Sequence, residues 1–262
     1  MRELPVVATY MEPSDDKGSS MLEWTEEAIV LGARLHGETS VIAELFTRER
    51  GRWNGMVHGG RGRRTRPLVQ PGNLVLATWT ARLDEHLGRF TLEPLRLRAA
   101  HLMQSQLGIY GAQTVAGHLR LLPERDAHAR LYDMADALLD NLDDPRMAGE
   151  LMVRFERQLL QELGFGLDLS ACAATGETEN LRFVSPRSGR AVSRAGGEGY
   201  EDKLLPLPPF MLHDAVGEAG PDDLRDGFAL TGRFLERAVW QTRETPPPVE
   251  RDAFRRAVEK RI

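Results

Sequence analysis

The chain has 262 residues, of which 41% are hydrophobic and 28% are charged, a composition typical of a globular protein with one large domain or two ordinary ones. Its single cysteine, Cys172, excludes an intrachain disulfide and therefore a small secreted fold held together by disulfides. No apolar run approaches the roughly 20 residues that span a bilayer. We therefore expect a cytoplasmic protein with no membrane partner.

The formal net charge of -5 is unevenly distributed along the chain. Residues 21–100 contain twelve Arg, no Lys and nine acidic residues, a balance of +3, whereas residues 101–262 carry a balance of -6. The acidic total therefore does not exclude an anionic partner for the N-terminal third. Residues 1–20 are polar in their second half and lack the pattern of a signal peptide, so we expect a disordered N-terminal extension, with Met21 as an equally good start.

Five short runs rich in β-forming residues follow, separated by Gly, Pro, Asn or charged turns. They are Ala28–Leu35, Ser40–Thr47, Arg52–His58, Leu74–Leu83 and Arg89–Arg98. One connection, residues 59–73, is much longer than the others. Five strands with one long connection are typical of an OB-fold barrel, which we assign to residues 21–100.

The long connection begins with the sequence Gly-Gly-Arg-Gly-Arg-Arg-Thr-Arg at residues 59–66, here called the arginine loop. Glycine lets a backbone approach a surface closely, and the planar guanidinium group suits phosphate oxygens. The pattern predicts a surface for an anionic polymer, although a solvated basic turn would look the same. The candidate residues for contacts with such a polymer are Arg34, Arg52, Arg61, Arg63, Arg64 and Arg66.

Two of these assignments carry explicit alternatives. Arg34, at the end of the first strand run, either joins the loop arginines on one barrel face or forms a surface ion pair with Glu38. Arg52 precedes Trp53, which we interpret as a base-stacking ring at a turn, whereas most strand aromatics belong to the core.

After residue 100 the apolar period becomes helical, and the sequence predicts a helical domain over residues 101–262. Asp144 is a predicted N-cap before Pro145. A Gly- and Ser-rich insertion at about residues 168–209 interrupts the domain, with a hairpin expected around Leu181, Phe183 and Val184 and a turn at 186–189. The predicted helices are His101–Leu122, Asp126–Leu142, Pro145–Leu163, Asp222–Thr242 and Val249–Arg261. The fold class is α+β with more than one domain.

The chain lacks the phosphate-loop, dinucleotide, nucleophile-elbow and zinc-protease motifs, so we expect no enzyme and no cofactor. In the insertion, Cys172-Ala-Ala-Thr175 and Ser193-Arg-Ala-Gly196 have the outline of a zinc ribbon in which three of the four sulfur positions are replaced. Because Thr, Ser and Gly are not zinc ligands of this kind, the insertion is a degenerate ribbon and we expect no metal.

The order and spacing of several segments resemble the RecO-type recombination mediators of bacteria. The arginine loop and the Leu163–Leu169 segment, followed by Cys172, are two of them. The others are Glu26–Leu31, Gly37–Ser40, Phe46–Thr47 with Gly51–Arg52, Leu68–Gly72, Gly176–Glu177 and Arg233–Leu235.

This resemblance implies a non-enzymatic repair protein with an N-terminal OB-fold and a C-terminal helical domain, found in the cytoplasm with the nucleoid. It implies binding to single- and double-stranded DNA, with the six candidate arginines named above as the DNA-binding residues. It also implies annealing of complementary strands and help in loading the recombinase onto coated single strands. The implied protein partners are RecR and the acidic C-terminal tail of single-strand DNA-binding protein. For that tail, Arg120, Arg130 and Arg154 of the helical domain are candidates.

Two alternatives remain at this point. An OB-fold RNA-binding or ribosome-associated assembly factor would prefer structured RNA, with the 2′-hydroxyl contributing to binding. A pure protein scaffold would not need the loop arginines.

Overall fold

The computed structural model describes residues 21–213, 215–217, 219–242 and 247–262. The predicted extension, residues 1–20, lies outside the described residues. Where the structure describes the chain, none of its helices has the length and hydropathy needed to cross a membrane.

Five strands form a closed barrel in the order β1-β2-β3-β5-β4, with β1 pairing antiparallel to both β2 and β4. Only the pairing of β3 with β5 is parallel. This strand order closes the ring as an OB-fold does, so the predicted barrel is confirmed. The strands are β1 Leu22–His36, β2 Ser40–Thr47, β3 Gly51–Val57, β4 Leu74–Ala81 and β5 Arg89–Arg96.

The first strand begins six residues before the predicted run. Leu22 to Glu27 pair in register with β4, as in Leu22↔Ala81 and Trp24↔Trp79. This segment is mostly exposed or half-buried, so it lacks the buried apolar run that marks the rest of β1 in the sequence.

The inside of the barrel is aromatic. The ring of Trp53 lies 5.2 Å from that of Trp79 and 5.4 Å from that of Trp24, and Arg125 lies over its face at 4.3 Å. Trp53 is only 5% exposed, so its interpretation as a stacking ring at a turn is wrong. Residues of β3 alternate between buried and half-buried, and Trp53 occupies an inward position.

After the barrel, the described chain contains six helices, short 3₁₀ segments, one π-helical turn at Glu236–Trp240 and the three short strands of the insertion. The predicted helix His101–Leu122 is two helices, because Ser105 caps the second one by accepting from the N–H of Gly108 at 2.9 Å. The helices are α1 Ala99–Leu102, α2 Gln106–Leu119, α3 Ala129–Asp140, α4 Pro145–Glu162, α5 Pro221–Leu235 and α6 Val249–Glu259. Asp144 caps α4 as predicted, accepting from the N–H groups of Arg146 and Met147.

The insertion forms a three-stranded sheet in the order β7-β6-β8. Its strands are β6 Leu181–Val184, β7 Ala191–Ser193 and β8 Leu205–Pro206, so the predicted hairpin is confirmed. Leu181 and Val184 belong to the same buried cluster as the helices. The insertion therefore packs on the helical core.

One side of the barrel packs against the helices in a common hydrophobic core. Ile29, Leu31, Phe46 and Leu74 of the barrel strands are buried in the same cluster as the helical core. Beside this core, the nearly buried Arg98 donates to Asp140 of α3 at 2.6 Å, to Asp136, and to the carbonyl of Gly72 at 3.2 Å. These contacts tie the helical domain to the barrel. The way the two domains dock determines the shape of a cleft between the barrel and α2.

Candidate nucleic-acid interface

The arginine loop is folded as a series of tight turns against the β1–β2 turn. The N–H of Gly62 donates to the carbonyl of Gly59 at 2.8 Å. The N–H of Arg61 donates to the carbonyl of Thr39 at 3.1 Å, and its guanidinium donates to the carbonyl of Glu38 at 2.6 Å. The loop is thus held in place by backbone hydrogen bonds while its arginines remain exposed.

Below the loop lies a cleft of about 870 Å³ between the barrel and α2. The cleft is lined by residues of β1, β2, the arginine loop, α2 and the start of α6. Its charged lining residues are Arg34, Arg61, Arg66, Arg120, Glu44 and Glu250. Four arginines against two carboxylates make the cleft basic, although the chain as a whole is acidic.

Four of the predicted arginines carry guanidinium groups that make neither an ion pair nor a hydrogen bond with any described residue: Arg34, Arg63, Arg64 and Arg66. In particular, Arg34 is not bound to Glu38 in the part of the chain that the structure describes. Arg63 and Arg64 are exposed on the loop outside the cleft lining, whereas Arg34 and Arg66 line the cleft. These groups are available to an anion without a competing partner of their own.

Arg52 has a different environment. Its Nη1 donates to Glu44 at 2.8 Å and lies 3.3 Å from Glu124, and its Nη2 donates to the carbonyl of Leu122 at 3.2 Å. Only 16% of its side chain is exposed. The structure therefore places this predicted DNA-binding residue in a link between the barrel and the chain after α2, not with the arginines of the cleft.

Arg120, predicted for a protein-binding pocket, instead lies in the cleft. It follows α2, and its guanidinium donates to Glu44 at 2.6 Å and to the carbonyl of Leu31 at 3.0 Å. Glu44 thus lies between two arginines, Arg52 and Arg120. The sequence carries no local signal for this position, because it depends on how the barrel docks against α2.

The other two candidates for an acidic tail, Arg130 and Arg154, do come together. They line a smaller pocket of about 380 Å³ that also contains Arg157, Met134 and Leu167 among its lining residues. Arg154 is held by Glu150 at 2.9 Å and by the carbonyls of His213 and Ala215. The pocket combines fixed positive charge with apolar surface.

Each of the two turns of the degenerate ribbon contains a hydrogen bond from a backbone N–H to a side chain. The N–H of Thr175 donates to Sγ of Cys172 at 3.4 Å, and the N–H of Gly196 donates to Oγ of Ser193 at 3.1 Å. Burial raises the pKa of the Cys172 thiol, but hydrogen bonds from Ser193 and Thr175 outweigh this effect and lower it to about 6. One thiol with two hydroxyl groups does not fit a zinc ion, and the described residues hold no cluster of three His, Cys, Asp or Glu.

A closed five-stranded barrel carrying a basic loop, joined through a shared core to a helical domain, defines a protein of the OB-fold class with a basic cleft. The family model "Recombination protein O N terminal" matches residues 21–98, and "Recombination protein O C terminal" matches residues 118–243. The chain belongs to the RecO family of DNA repair proteins.

Three relatives illustrate the similarity, all named DNA repair protein RecO. The protein of Brucella abortus (strain 2308) is 52% identical over 92% of this chain and 98% of its own length. That of Methylobacterium nodulans is 54% identical over 89% of this chain and 96% of its own length. That of Rhizobium rhizogenes is 51% identical over 92% of this chain and 93% of its own length.

Proposed function

We propose that this chain is a non-enzymatic recombination mediator that binds single- and double-stranded DNA through the arginine loop and the basic cleft. The observation that carries the proposal is the set of unpaired guanidinium groups on one face of the barrel, in a protein whose total charge is negative. Such groups replace counterions on the phosphates, a contribution that does not depend on base sequence. This suits a protein that acts at any DNA break.

Strand annealing follows from the same chemistry. Two partly neutralised strands repel each other less, and phosphate contacts leave the Watson–Crick edges free to pair.

The chain would then help to load the recombinase onto coated single strands, acting with RecR in the cytoplasm at the nucleoid. Mixing experiments with purified RecR, monitored by gel filtration, test that association directly.

The DNA proposal is tested by fluorescence anisotropy with labelled single-stranded DNA, duplex DNA and RNA of matched sequence over a salt series. The variant replaces Arg61, Arg63, Arg64 and Arg66 with Ala. We expect weaker DNA binding and a smaller salt dependence, with the slope reduced by about one unit for each phosphate that is no longer neutralised. The matched control also removes four exposed arginines, but away from the cleft: Arg182, Arg187, Arg194 and Arg233.

Three results would contradict the proposal. Clear preference of the wild type for RNA would favour the assembly-factor alternative. Equal loss of binding in the control quadruple variant would show that only total charge matters. Unchanged function of the loop variant in repair would favour a protein scaffold.

The pocket around Arg130 and Arg154 supports the second part of the proposal, which is binding of the acidic tail of single-strand DNA-binding protein. Arg130 is exposed, and no described residue is its ion-pair partner, so it can bind a carboxylate. Met134 and Leu167 supply apolar surface for a side chain of the tail. The guanidinium carbon of Arg154 also lies 5.6 Å from the centre of the Phe210 ring, and this contact fixes the orientation of the guanidinium group.

A labelled peptide with the sequence of that tail tests the pocket. Arg130→Ala should weaken peptide binding by about tenfold or more, the effect expected on removing one charge-assisted hydrogen bond. Arg146→Ala, which removes an exposed arginine outside the pocket lining, is the control. Equal affinities of the wild type and Arg130→Ala would exclude this pocket as the tail site.

A further inference from the structure

Gly117 in the last turn of α2 has no packing role. Glycine within a helix is about 1 kcal/mol less favourable than alanine. At Gly108 and Gly111 the structure explains this cost, because an added Cβ would lie 2.3 Å from the Leu102 backbone and 2.5 Å from Leu142, respectively. A Cβ on Gly117 would meet no atom within 4 Å, and the residue lines the basic cleft. The space beside Gly117 is therefore part of the cleft.

Gly117 lies on the side of α2 that lines the cleft. Ala116 and Gly117 lie three and four residues after Gln113, and Arg120 follows them by four and three residues, spacings that place side chains on one side of a helix; all four residues line the cleft. Residues of the arginine loop line the same cleft. A ligand in the cleft would therefore contact both the barrel and the helical domain.

Arg120 adds charge to this wall. A guanidinium group has five N–H donors, and the described contacts to Glu44 and Leu31 use only part of them. The side chain is 44% exposed. Held in place by Glu44, it offers its remaining donors to an anion in the cleft.

We propose that α2 is the second wall of a channel for one unpaired nucleic-acid strand, with Gly117 providing the room and Arg120 a phosphate contact. This inference rests on the proposed function. The cleft volume falls within the range of about 300 to 1,000 Å³ typical of sites for a single small ligand, so a short stretch of one strand fits in it. In this proposal a duplex would bind instead to Arg63 and Arg64, which are exposed on the loop outside the cleft lining.

The two carboxylates of the cleft limit the strength of binding. Glu44 is engaged by Arg52 and Arg120, whereas Glu250, at the start of α6, has no ion-pair partner among the described residues. An uncompensated carboxylate repels phosphate. Removal of this charge should therefore strengthen binding of a single strand.

Filling the channel tests the inference. Gly117→Phe should lower the affinity for labelled oligothymidylate by about tenfold or more, since the ring occupies the space of a base and keeps phosphates away from Arg120, and leave duplex affinity within about twofold. Gly117→Ala and Gln106→Phe are the controls: the first adds one methyl group at the same site, and the second adds the same ring to α2 outside the cleft lining. Circular dichroism and thermal unfolding establish that each variant is folded.

Glu250→Gln is the complementary variant, expected to raise oligothymidylate affinity about twofold to threefold at low salt. Unchanged single-strand binding by Gly117→Phe, or equal losses for single strand and duplex, would overturn the channel while leaving the loop-based function intact. Failure of the wild type to bind any DNA would overturn the proposed function itself. The two failures are therefore distinguishable.

Discussion

The side chain of Arg251 in α6 donates hydrogen bonds to both carboxylate oxygens of Glu156 in α4, at 2.7 Å from Nε and 2.8 Å from Nη2. Glu156 is completely buried, and His118 of α2 lies 3.1 Å from the same carboxylate. Helices α2, α4 and α6 therefore meet at one buried charge, to which Thr231 of α5 also donates a hydrogen bond. The pair fixes α6, whose first turn forms part of the cleft.

Loss of Arg251 should destabilise the protein strongly. Arg251→Ala leaves the buried carboxylate without its main partner, at an expected cost of about 3 to 5 kcal/mol in the free energy of unfolding. Arg255→Ala on the same helix is the control, because Arg255 pairs with the partly exposed Asp252 and Glu259 and should cost below about 1 kcal/mol. Urea denaturation measures both, and similar costs would show that the buried pair has no special role.

The buried carboxylate of Glu156 should also make the stability of the protein sensitive to acid. Burial raises the pKa of Glu156, but Arg251 and His118 outweigh burial and lower it from its ordinary value of 4.5 to about 2. Because the folded pKa is depressed, the stabilisation is complete above about pH 4.5 and decreases as the pH falls toward 2. Glu156→Gln should be less stable at neutral pH but should show a flatter stability profile between these two pH values. Parallel profiles for wild type and variant would contradict this assignment.

Gly51 holds the β2–β3 turn against the chain that leads into α3. Its φ is +65°, and a Cβ there would lie 1.7 Å from the carbonyl oxygen of Asp126. Gly37 has nearly the same φ, +63°, but a Cβ there would meet nothing within 4 Å. Gly37→Ala should therefore cost only the left-handed backbone, about 1 kcal/mol, and Gly51→Ala about 2 to 4 kcal/mol more. Chemical denaturation of the two variants gives the difference, and equal costs would mean that the turn moves away without loss.

The five strands and most helix positions could be predicted from local patterns, since turns and apolar periods are local properties. The alternation of β3 also indicates the inward direction of Trp53, but its neighbours Arg50 and Gly51 suggest a turn. The cleft could not be predicted from local patterns. Arg34, Arg61 and Gly117 are far apart in sequence, and only the docking of the barrel onto α2 brings them together. No local signal distinguishes Arg120, which lines the cleft, from Arg154, which does not.

The buried position of Trp53 leads to a prediction about DNA binding. Trp53→Phe should leave single-strand affinity within about twofold, because the ring faces the barrel interior and cannot stack on a base. It should lower stability by about 1 to 3 kcal/mol, because the smaller ring leaves a cavity and interacts less favourably with Arg125. Anisotropy and denaturation together separate the two effects. A large loss of affinity in a variant of normal stability would restore the stacking role.

The degenerate ribbon should accept zinc once its sulfur positions are restored. Thr175, Ser193 and Gly196 lie around Cys172: the two hydroxyl oxygens are 3.4 Å apart, and a Cβ on Gly196 would lie 2.8 Å from the Cys172 sulfur. The backbone N–H groups of Thr175 and Gly196 already point at the Cys172 and Ser193 side chains. Four thiolates at these positions match the tetrahedral Cys₄ sites of zinc ribbons after a small outward shift at residue 196.

We therefore expect the triple variant Thr175→Cys, Ser193→Cys, Gly196→Cys to bind one zinc ion and to unfold at a higher temperature with zinc than without it. The same triple variant with Cys172→Ser is the control, since it lacks one of the four sulfurs. Cobalt substitution gives the absorption spectrum of a tetrahedral thiolate site. If the folded triple variant binds no more metal than the control, then the turns have diverged from ribbon geometry, and the insertion is held together by its hydroxyl hydrogen bonds and its packing on the helical core alone.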